Sequence, residues 1–248
     1  MAEKAMLIDT SKCTACRGCQ VACKQWNELS AETTEFFVVG SGYQNPPDLS
    51  ADTYCLVEFH SSTTSGGDPE WLFRKRQCMH CTDASCVSVC PVSAMQKDSA
   101  TGFVFVDEEL CIGCGACVSA CPFEVPRLTS DESAKSKKCW ACLDRLTEGA
   151  VTGDIPQPAC AKSCPSGAIT FGDRDALVTQ AQARQAEIGG HLYGVEEAGG
   201  LHQIYVLQKD PSFYGLPSAS EISSKARRAY LQSLREKGKQ FLKKVSSF

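Results

Sequence analysis

The sequence lacks every motif that would mark a catalytic site of its own. It contains no H-E-x-x-H zinc motif, no nucleophile elbow and no phosphate-binding loop, and it has only four histidines. The sequence therefore shows no residues that would carry out hydrolytic or nucleotide-dependent chemistry. We expect a non-catalytic chain, whose chemistry is supplied by something that it binds.

Long apolar runs and an excess of positive charge are also missing. No stretch of about 18 apolar residues occurs, so we expect no transmembrane segment. Lys and Arg number 25 against 29 Asp and Glu, which gives a formal net charge of −4 at pH 7. Thiolates would make the folded chain more acidic still, so nucleic acid is not expected as a partner. The start of the sequence shows no apolar secretory signal.

Cysteine, in contrast, is abundant: the chain has 17, and they are grouped. Disulfides, zinc and iron–sulfur clusters are the competing explanations. Disulfide scaffolds are mostly small secreted domains, and zinc sites use isolated pairs or mix cysteine with histidine. Cys13, Cys16 and Cys19 instead follow one another at C-x2-C-x2-C spacing, a crowding that suits a multi-iron cage. The pattern therefore favours iron–sulfur clusters.

All cysteines except Cys55 form four runs of four. The third run, Cys111-Ile-Gly-Cys114-Gly-Ala-Cys117-x3-Cys121-Pro122, has the spacing of bacterial ferredoxins, whose fourth cysteine ligates the paired cluster. The second run, from Cys78 to Cys90, has the related C-x2-C-x4-C-x3-C-P spacing. At four ligands per cluster, the sequence predicts four [4Fe–4S] clusters. Cys55 lies in an apolar strand, where we expect it to be a buried filler.

The ferredoxin rule assigns ligands by pairing runs. In the middle runs it places Cys121 on the second run's cluster and Cys90 on the third's. By exclusion the outer runs pair, with Cys164 and Cys23 as crossing ligands. The predicted ligand sets, named one to four in this order, are Cys13, Cys16, Cys19 and Cys164; Cys23, Cys139, Cys142 and Cys160; Cys78, Cys81, Cys86 and Cys121; and Cys90, Cys111, Cys114 and Cys117. His80, inside the second run, is expected to pack or to form a hydrogen bond.

The predicted fold class is α+β, with two ferredoxin-like modules. A short strand, an Asp and a cluster loop recur at Ala5–Asp9 and at 104–107, which is an internal repeat. The outer module is expected from residues 1–29 and 128–172, and the middle module from residues 78–127. Residues 30–77 are expected to be an insertion of short strands and loops, and residues 173–248 a C-terminal extension.

Local patterns predict the elements of these parts. Helices are expected at Gly18–Leu29, Gly115–Ala120 and Asp175–Ile188, and strands at Tyr54–Phe59, Trp71–Phe73 and Gln203–Leu207. Ser61–Pro69 is expected to be the turn between the two strands of the insertion.

The tail from residue 223 onward is basic and has a different character. Tyr230, Leu231, Leu234, Phe241, Leu242 and Val245 can share one helical face, so we expect an amphipathic helix packed on its own subunit or on a partner. Contact with a membrane surface or an acidic cytochrome is the alternative. Further basic residues adjoin cluster ligands in the sequence, and they either tune the clusters or are solvated surface charges: Lys24, Lys75, Arg76, Lys138 and Lys162.

With the four runs in place, the sequence resembles the four-cluster iron–sulfur subunits of molybdopterin oxidoreductases. Three stretches are similar to one branch, the beta subunits of formate dehydrogenase. They are Cys16-Arg-Gly-Cys19-Gln-Val-Ala-Cys23-Lys-Gln-Trp-Asn27, Asn45-Pro-Pro-Asp-Leu-Ser50 and Glu70-Trp-Leu-Phe-Arg-Lys-Arg-Gln-Cys-Met-His-Cys81. The resemblance covers about residues 5 to 217.

The resemblance implies an electron-transfer subunit beside a large catalytic subunit with a molybdenum or tungsten bis-pterin cofactor. It implies a cytochrome c or another redox carrier as the external partner, and a periplasmic location reached with a signal-bearing catalytic subunit. A cytoplasmic complex is the alternative location. The equivalent subunit of a polysulfide, thiosulfate, dimethyl sulfoxide or nitrate reductase and a free-standing polyferredoxin are the alternative functions. Family likeness places the outer module nearer the catalytic subunit.

Overall fold

The computed structural model describes residues 2–34, 43–64, 66–146 and 155–245, with side chains up to residue 236 in the last range. The predicted insertion and the segment before Cys160 thus lie partly outside the described residues. The strands are β1 (Lys4–Asp9), β2 (Leu56–Thr63), β3 (Pro69–Arg76), β4 (Met95–Lys97), β5 (Val104–Val106), β6 (Arg127–Leu128), β7 (Ser136–Lys137), β8 (Ile169–Asp173), β9 (His191–Tyr193) and β10 (Gln203–Leu207). The helices are α1 (Gly18–Trp26), α2 (Ser85–Ser88), α3 (Ala116–Ala120), α4 (Ala159–Lys162), α5 (Arg174–Ile188) and α6 (Ala219–Val245).

A four-stranded sheet joins the two ends of the chain. Its order is β8-β1-β10-β9, with β1 parallel to β10 and antiparallel to β8. Strands β9 and β10, which lie in the part that the sequence assigned to a C-terminal extension, therefore belong to the same sheet as the opening strand. The pairing of Met6 with Gln203 and of Ile8 with Tyr205 fixes the register.

The alternation of side chains along β1 divides the interior in two. Ala5 and Leu7 pack with Leu177 and Ala181 of α5. Met6 and Ile8 face the other way, into the larger core that also contains many of the cysteines. Because both faces of the strand are covered, its sequence reads as an unbroken apolar run. Burial of Met6, Leu7 and Ile8 contributes roughly 1.5–3 kcal/mol each, so this strand anchors the cysteine-bearing loops.

The insertion is a longer hairpin than the sequence predicted. Strands β2 and β3 pair antiparallel from Leu56 opposite Arg76 to Thr63 opposite Pro69. The connection is consequently shorter than the predicted Ser61–Pro69 turn, since Ser61 and Ser62 are still paired to the opposite strand. Two further ribbons, β4 with β5 and β6 with β7, complete the sheets of the described chain. This mixture of small sheets and helices is of the α+β class, as predicted.

Helix α1 ends at Trp26, before the predicted Leu29. The Asn27 side chain turns back and donates to the Cys23 carbonyl at 2.8 Å, and Glu28 is left-handed with φ 51°. The predicted helix of the tail is present as α6, which begins at Ala219, and Tyr230, Leu231 and Leu234 are exposed on it. The predicted apolar side chains beyond residue 236 lie outside the described part. Among the described residues no helix combines the length and apolarity needed to cross a bilayer.

Candidate metal centres

All 17 cysteines are free of disulfides. Cys16 and Cys114 are exposed, and the others are buried or half-buried. Cys55 is 2% exposed, which confirms its predicted burial. The thiols of all four runs are therefore available as ligands.

Each run opens on the same backbone turn. In all four C-x-x-C segments the residue just before the second cysteine is left-handed, with φ of 54° at Ala15, 48° at His80, 66° at Gly113 and 61° at Ala141. For residues with a side chain, the left-handed region costs about 1–2 kcal/mol. Such strain persists where the surroundings fix the backbone, which happens mainly at functional sites. The same turn thus recurs at the first two cysteines of all four runs.

In three runs the backbone after the last cysteine also follows the same course. A proline follows the last cysteine, and the third residue after that cysteine is again left-handed. The residues concerned are Ser93 after Cys90, Glu124 after Cys121 and Gly167 after Cys164, with φ of 55°, 54° and 64°. The proline cannot continue a helix, so the chain turns away from the site at once.

The cysteines of set four line one cavity. Cys90, from the second run, lies there with Cys111, Cys114 and Cys117 of the third. Ser136 of β7 donates its N–H to the Cys111 Sγ at 3.3 Å, and its Oγ lies 3.3 Å from the Cys117 Sγ. Nothing in the sequence pointed to Ser136, because it lies in another strand, outside the cysteine runs.

Set three lies together in the same crossed manner. Burial raises the pKa of the Cys81 thiol well above its ordinary value, and the neighbouring sulfurs of Cys121, Cys78 and Cys86 raise it further. Cys121 belongs to the third run in sequence but stands beside the second run in space.

The outer runs contribute sets one and two. Burial raises the pKa of Cys13, and the charges of Cys164 and Cys16 add to it, against a backbone hydrogen bond at Ala15 that lowers it. Burial likewise raises the pKa of Cys23. The sulfurs that add to that shift are those of Cys55, Cys139 and Cys160.

Cysteines of neighbouring sets approach one another. Pairs close enough for their charges to interact include Cys19 with Cys160, Cys139 with Cys78, and Cys86 with Cys117. The sets therefore stand in the order one, two, three, four. The exposed cysteines belong to the two ends of this order, Cys16 to set one and Cys114 to set four.

Asn27 and Trp140 tie the two outer runs together. The Trp140 Nε1 donates to the Asn27 Oδ1 at 2.5 Å, and the Asn27 Nδ2 lies 3.7 Å from the Cys23 Sγ. Sequence reasoning gave these residues no role. The one available signal was the position of Trp140 between Cys139 and Cys142.

His80 connects the second run to set two. Its Nδ1 accepts the N–H of Val104 at 3.0 Å, and its Nε2 lies 3.8 Å from the Cys139 Sγ. Burial, aided by the nearby Lys138 cation, holds the pKa of His80 well below its ordinary value, so the ring is neutral. A neutral ring that accepts at Nδ1 carries its proton at Nε2 and donates it to the sulfur. The predicted hydrogen-bonding role of His80 is confirmed.

The donor sets suit a polynuclear cluster better than a single ion. Four ionised thiols in a buried space repel one another, so they need a multiply charged cation between them. Within the ranges that the structure describes, no three Cys, His, Asp or Glu side chains are placed to hold one metal ion. A four-iron cluster suits such sets, because each of its four irons takes one thiolate.

Comparison with known proteins agrees with this chemistry. The model of the 4Fe-4S dicluster domain matches residues 69–174. The nitrate-inducible formate dehydrogenase iron–sulfur subunit of Escherichia coli is 40% identical over 232 residues, which cover 90% of this chain and 75% of that relative. Formate dehydrogenase 2 subunit beta (cytochrome c-553) of Nitratidesulfovibrio vulgaris is 36% identical over 223 residues, which cover 85% of this chain and 96% of that relative.

A third relative, formate dehydrogenase subunit beta of Megalodesulfovibrio gigas, is 42% identical over 192 residues, which cover 75% of this chain and 84% of that protein. These relatives match the chain over most of its length, and their iron–sulfur character agrees with the cysteine sets. The chain belongs to the family of formate dehydrogenase iron–sulfur subunits, which are non-catalytic electron-transfer subunits that bind iron–sulfur clusters.

Proposed function

We propose that this chain holds four [4Fe–4S] clusters, one in each of sets one to four, and carries electrons for a formate dehydrogenase catalytic subunit. The observation that carries the proposal is the left-handed turn before the second cysteine, repeated in all four runs. A [4Fe–4S] cluster, when bound, takes up and gives back a single electron.

The residues of the chain prepare these sites for that exchange. Most of the cysteines are buried or half-buried, which limits water at the sulfurs. Ser136 aims a hydrogen-bond donor at set four, and Asn27 and His80 aim donors at set two. Such donors and the exclusion of solvent are what set the potentials of bound clusters. The cysteines of neighbouring sets that lie near one another support an order from set one to set four, which suits a chain whose task is conduction.

The two ends of this order suit two different partners. Cys16 is followed on α1 by the exposed Val21, and Cys114 is preceded by the exposed Ile112; these apolar side chains are 62% and 63% exposed. Following the family likeness, we propose that the molybdenum or tungsten pterin subunit binds at set one. A redox carrier such as a cytochrome c then binds at set four, in line with the name of the Nitratidesulfovibrio relative. The periplasmic location and the module boundaries stay predictions.

The first test is the metal content of the purified complex and its response to formate. We expect about sixteen irons and as many sulfides for each copy of this chain, besides those of the partner. Formate should reduce these clusters within the complex, as followed by electron paramagnetic resonance. A content of about four irons per chain would contradict the four-cluster proposal.

The substrate assignment has its own control. Clusters that stay oxidised with formate, but lose electrons to nitrate or thiosulfate after chemical reduction, would assign the chain to a reductase. A stable monomer without a large partner in size-exclusion chromatography would indicate a free-standing polyferredoxin.

His80 provides a second prediction. Replacing it with phenylalanine removes the N–H aimed at the Cys139 sulfur, and a lost donor to sulfur makes a cluster harder to reduce. We expect the equilibrium constant for reduction of one cluster to fall about threefold to tenfold, which lowers its potential by roughly 30–60 mV for a one-electron couple. A potentiometric titration followed by electron paramagnetic resonance measures the shift. Glutamine in the same place keeps an N–H donor and should shift that cluster less; equal shifts in both variants would contradict the role of the donor.

A further inference from the structure

Lys75 is a charged residue buried where no acceptor meets it. It lies on β3 and is 2% exposed, and its Nζ has no hydrogen-bond partner of acceptable geometry among the described residues. An ammonium group withdrawn from water is costly unless negative charge compensates it. The position therefore requires a source of negative charge close by.

The charges that act most strongly on this ammonium are those of sulfurs. In order of strength they are those of Cys160, Cys55, Cys19 and Cys139. Cys19 belongs to set one, and Cys139 and Cys160 belong to set two. Lys75 is thus close to cysteines of both outer sets.

Other lysines near the runs are placed differently. Lys138 is also buried, but its Nζ donates to the carbonyl oxygens of Val104 and Cys139. The Lys24 Nζ donates to the Asp52 carbonyl at 2.9 Å and pairs with the Glu32 carboxylate at 3.2 Å, in a half-exposed position. Lys75 alone among these three leaves its charge directed at sulfur.

Cys55 and the backbone of β3 define the surroundings of Lys75. Cys55 is not a member of any set, yet its thiol lies beside both Cys19 and the Lys75 ammonium. The Tyr205 hydroxyl donates to the Lys75 carbonyl at 2.6 Å, and Lys75 is paired with Val57 in the hairpin, so its backbone is held on both sides. The position of the cation is therefore built into the fold.

We propose that Lys75 sets the potentials of the outer pair of clusters, as a fixed positive charge shared by sets one and two. When a cluster gains one electron it gains one negative charge, and a nearby cation in a water-free interior stabilises that reduced form. The effect is to make both outer clusters easier to reduce. The inference rests on the proposed ligation of clusters by sets one and two.

The test compares variants of Lys75 in the purified complex. Lys75→Met and Lys75→Gln remove the charge, and Lys75→Arg keeps it. Each complex is titrated with dithionite at measured potentials, and its clusters are followed by electron paramagnetic resonance. For two clusters of the neutral variants, we expect the equilibrium constant for reduction to fall about tenfold, which lowers the potential by about 59 mV for a one-electron couple. Lys75→Arg should keep both clusters within about threefold of the wild type. Lys24→Met is the matched control, because it changes the net charge equally beside Cys23 but at a solvated, paired position; it should shift the clusters less than about threefold.

Iron content separates the two ways in which this can fail. Full iron in a neutral variant with unchanged potentials would overturn the role of Lys75 and leave the ligation intact. A wild-type content far below about sixteen irons would instead overturn the ligation. Equal shifts in Lys75→Arg and Lys75→Met, or loss of clusters from all three Lys75 variants, would mean that the position requires the shape of lysine and would overturn the proposal. Loss of clusters from the neutral variants alone, with Lys75→Arg intact, would support it.

Discussion

Replacing Cys164 with serine is expected to remove iron from the site of the first run, although Cys164 lies in the last. Its sulfur stands near that of Cys13, and a cube that loses one of four thiolates loses at least one iron and, at most, all four. Cys23→Ser should act in the same way on the site of Cys139, Cys142 and Cys160. Iron and sulfide analysis of each complex measures the loss. Cys55→Ser is the control, and it should keep its iron, because Cys55 is in no set.

Double substitutions decide which cysteines share a site, because two changes at one site do not add whereas changes at separate sites do. Cys13→Ser combined with Cys164→Ser should cost no more than about four irons, since both belong to set one. Cys139→Ser combined with Cys164→Ser should cost up to about eight. If each site instead takes all four cysteines from one run, the first pair of changes should cost up to about eight irons and the second no more than about four. That result would contradict the proposed ligand sets.

Replacing Gly113 with alanine is expected to disrupt set four, whereas the same change at Gly115 is expected to be tolerated. Both glycines are left-handed, with φ of 66° and 72°. A Cβ at Gly113 would lie 2.3 Å from the carbonyl oxygen of Ala134, whereas a Cβ at Gly115 would meet nothing nearer than Leu128 Cδ1 at 3.7 Å. The pair thus separates the effect of steric contact from that of backbone conformation.

The expected costs differ accordingly. Gly115→Ala bears only the left-handed strain, about 1–2 kcal/mol. Gly113→Ala adds overpacking against backbone, which raises the cost to about 2–5 kcal/mol. Ala134 precedes Ser136 by two residues, so a shift there also moves the donors to Cys111 and Cys117.

The thermal midpoint and the iron content of the two variants test this. We expect Gly113→Ala to lose about four irons and Gly115→Ala to keep them. The equivalent positions Ala15, His80 and Ala141 carry side chains, so the conformation by itself does not demand glycine. A Gly113→Ala protein with full iron and an unchanged midpoint would contradict the expectation.

Local patterns predicted most of the elements. The helix at Asp175–Ile188 and the strand at Gln203–Leu207 were found within one residue at each end. Errors arose where a distant contact overrode the local pattern. The Asn27 side chain ends α1 early by bonding to Cys23, and pairing across the hairpin extends β2 through Ser61 and Ser62. Partners of this kind cannot be read from a single segment.

The sequence by itself determined the chemistry of this protein. Cysteine spacing within a run is a matter of covalent reach, so the kind of metal centre and its candidate ligands can be read along the chain. The tertiary structure decided which charges face those ligands. Five basic residues adjoin cysteines in the sequence, and Lys75 precedes Cys78 of set three. In the folded structure, however, the Lys75 ammonium on β3 lies near Cys160, Cys19 and Cys139 of sets one and two. Burial and charge contacts depend on segments far apart in the chain, and only the folded molecule brings them together.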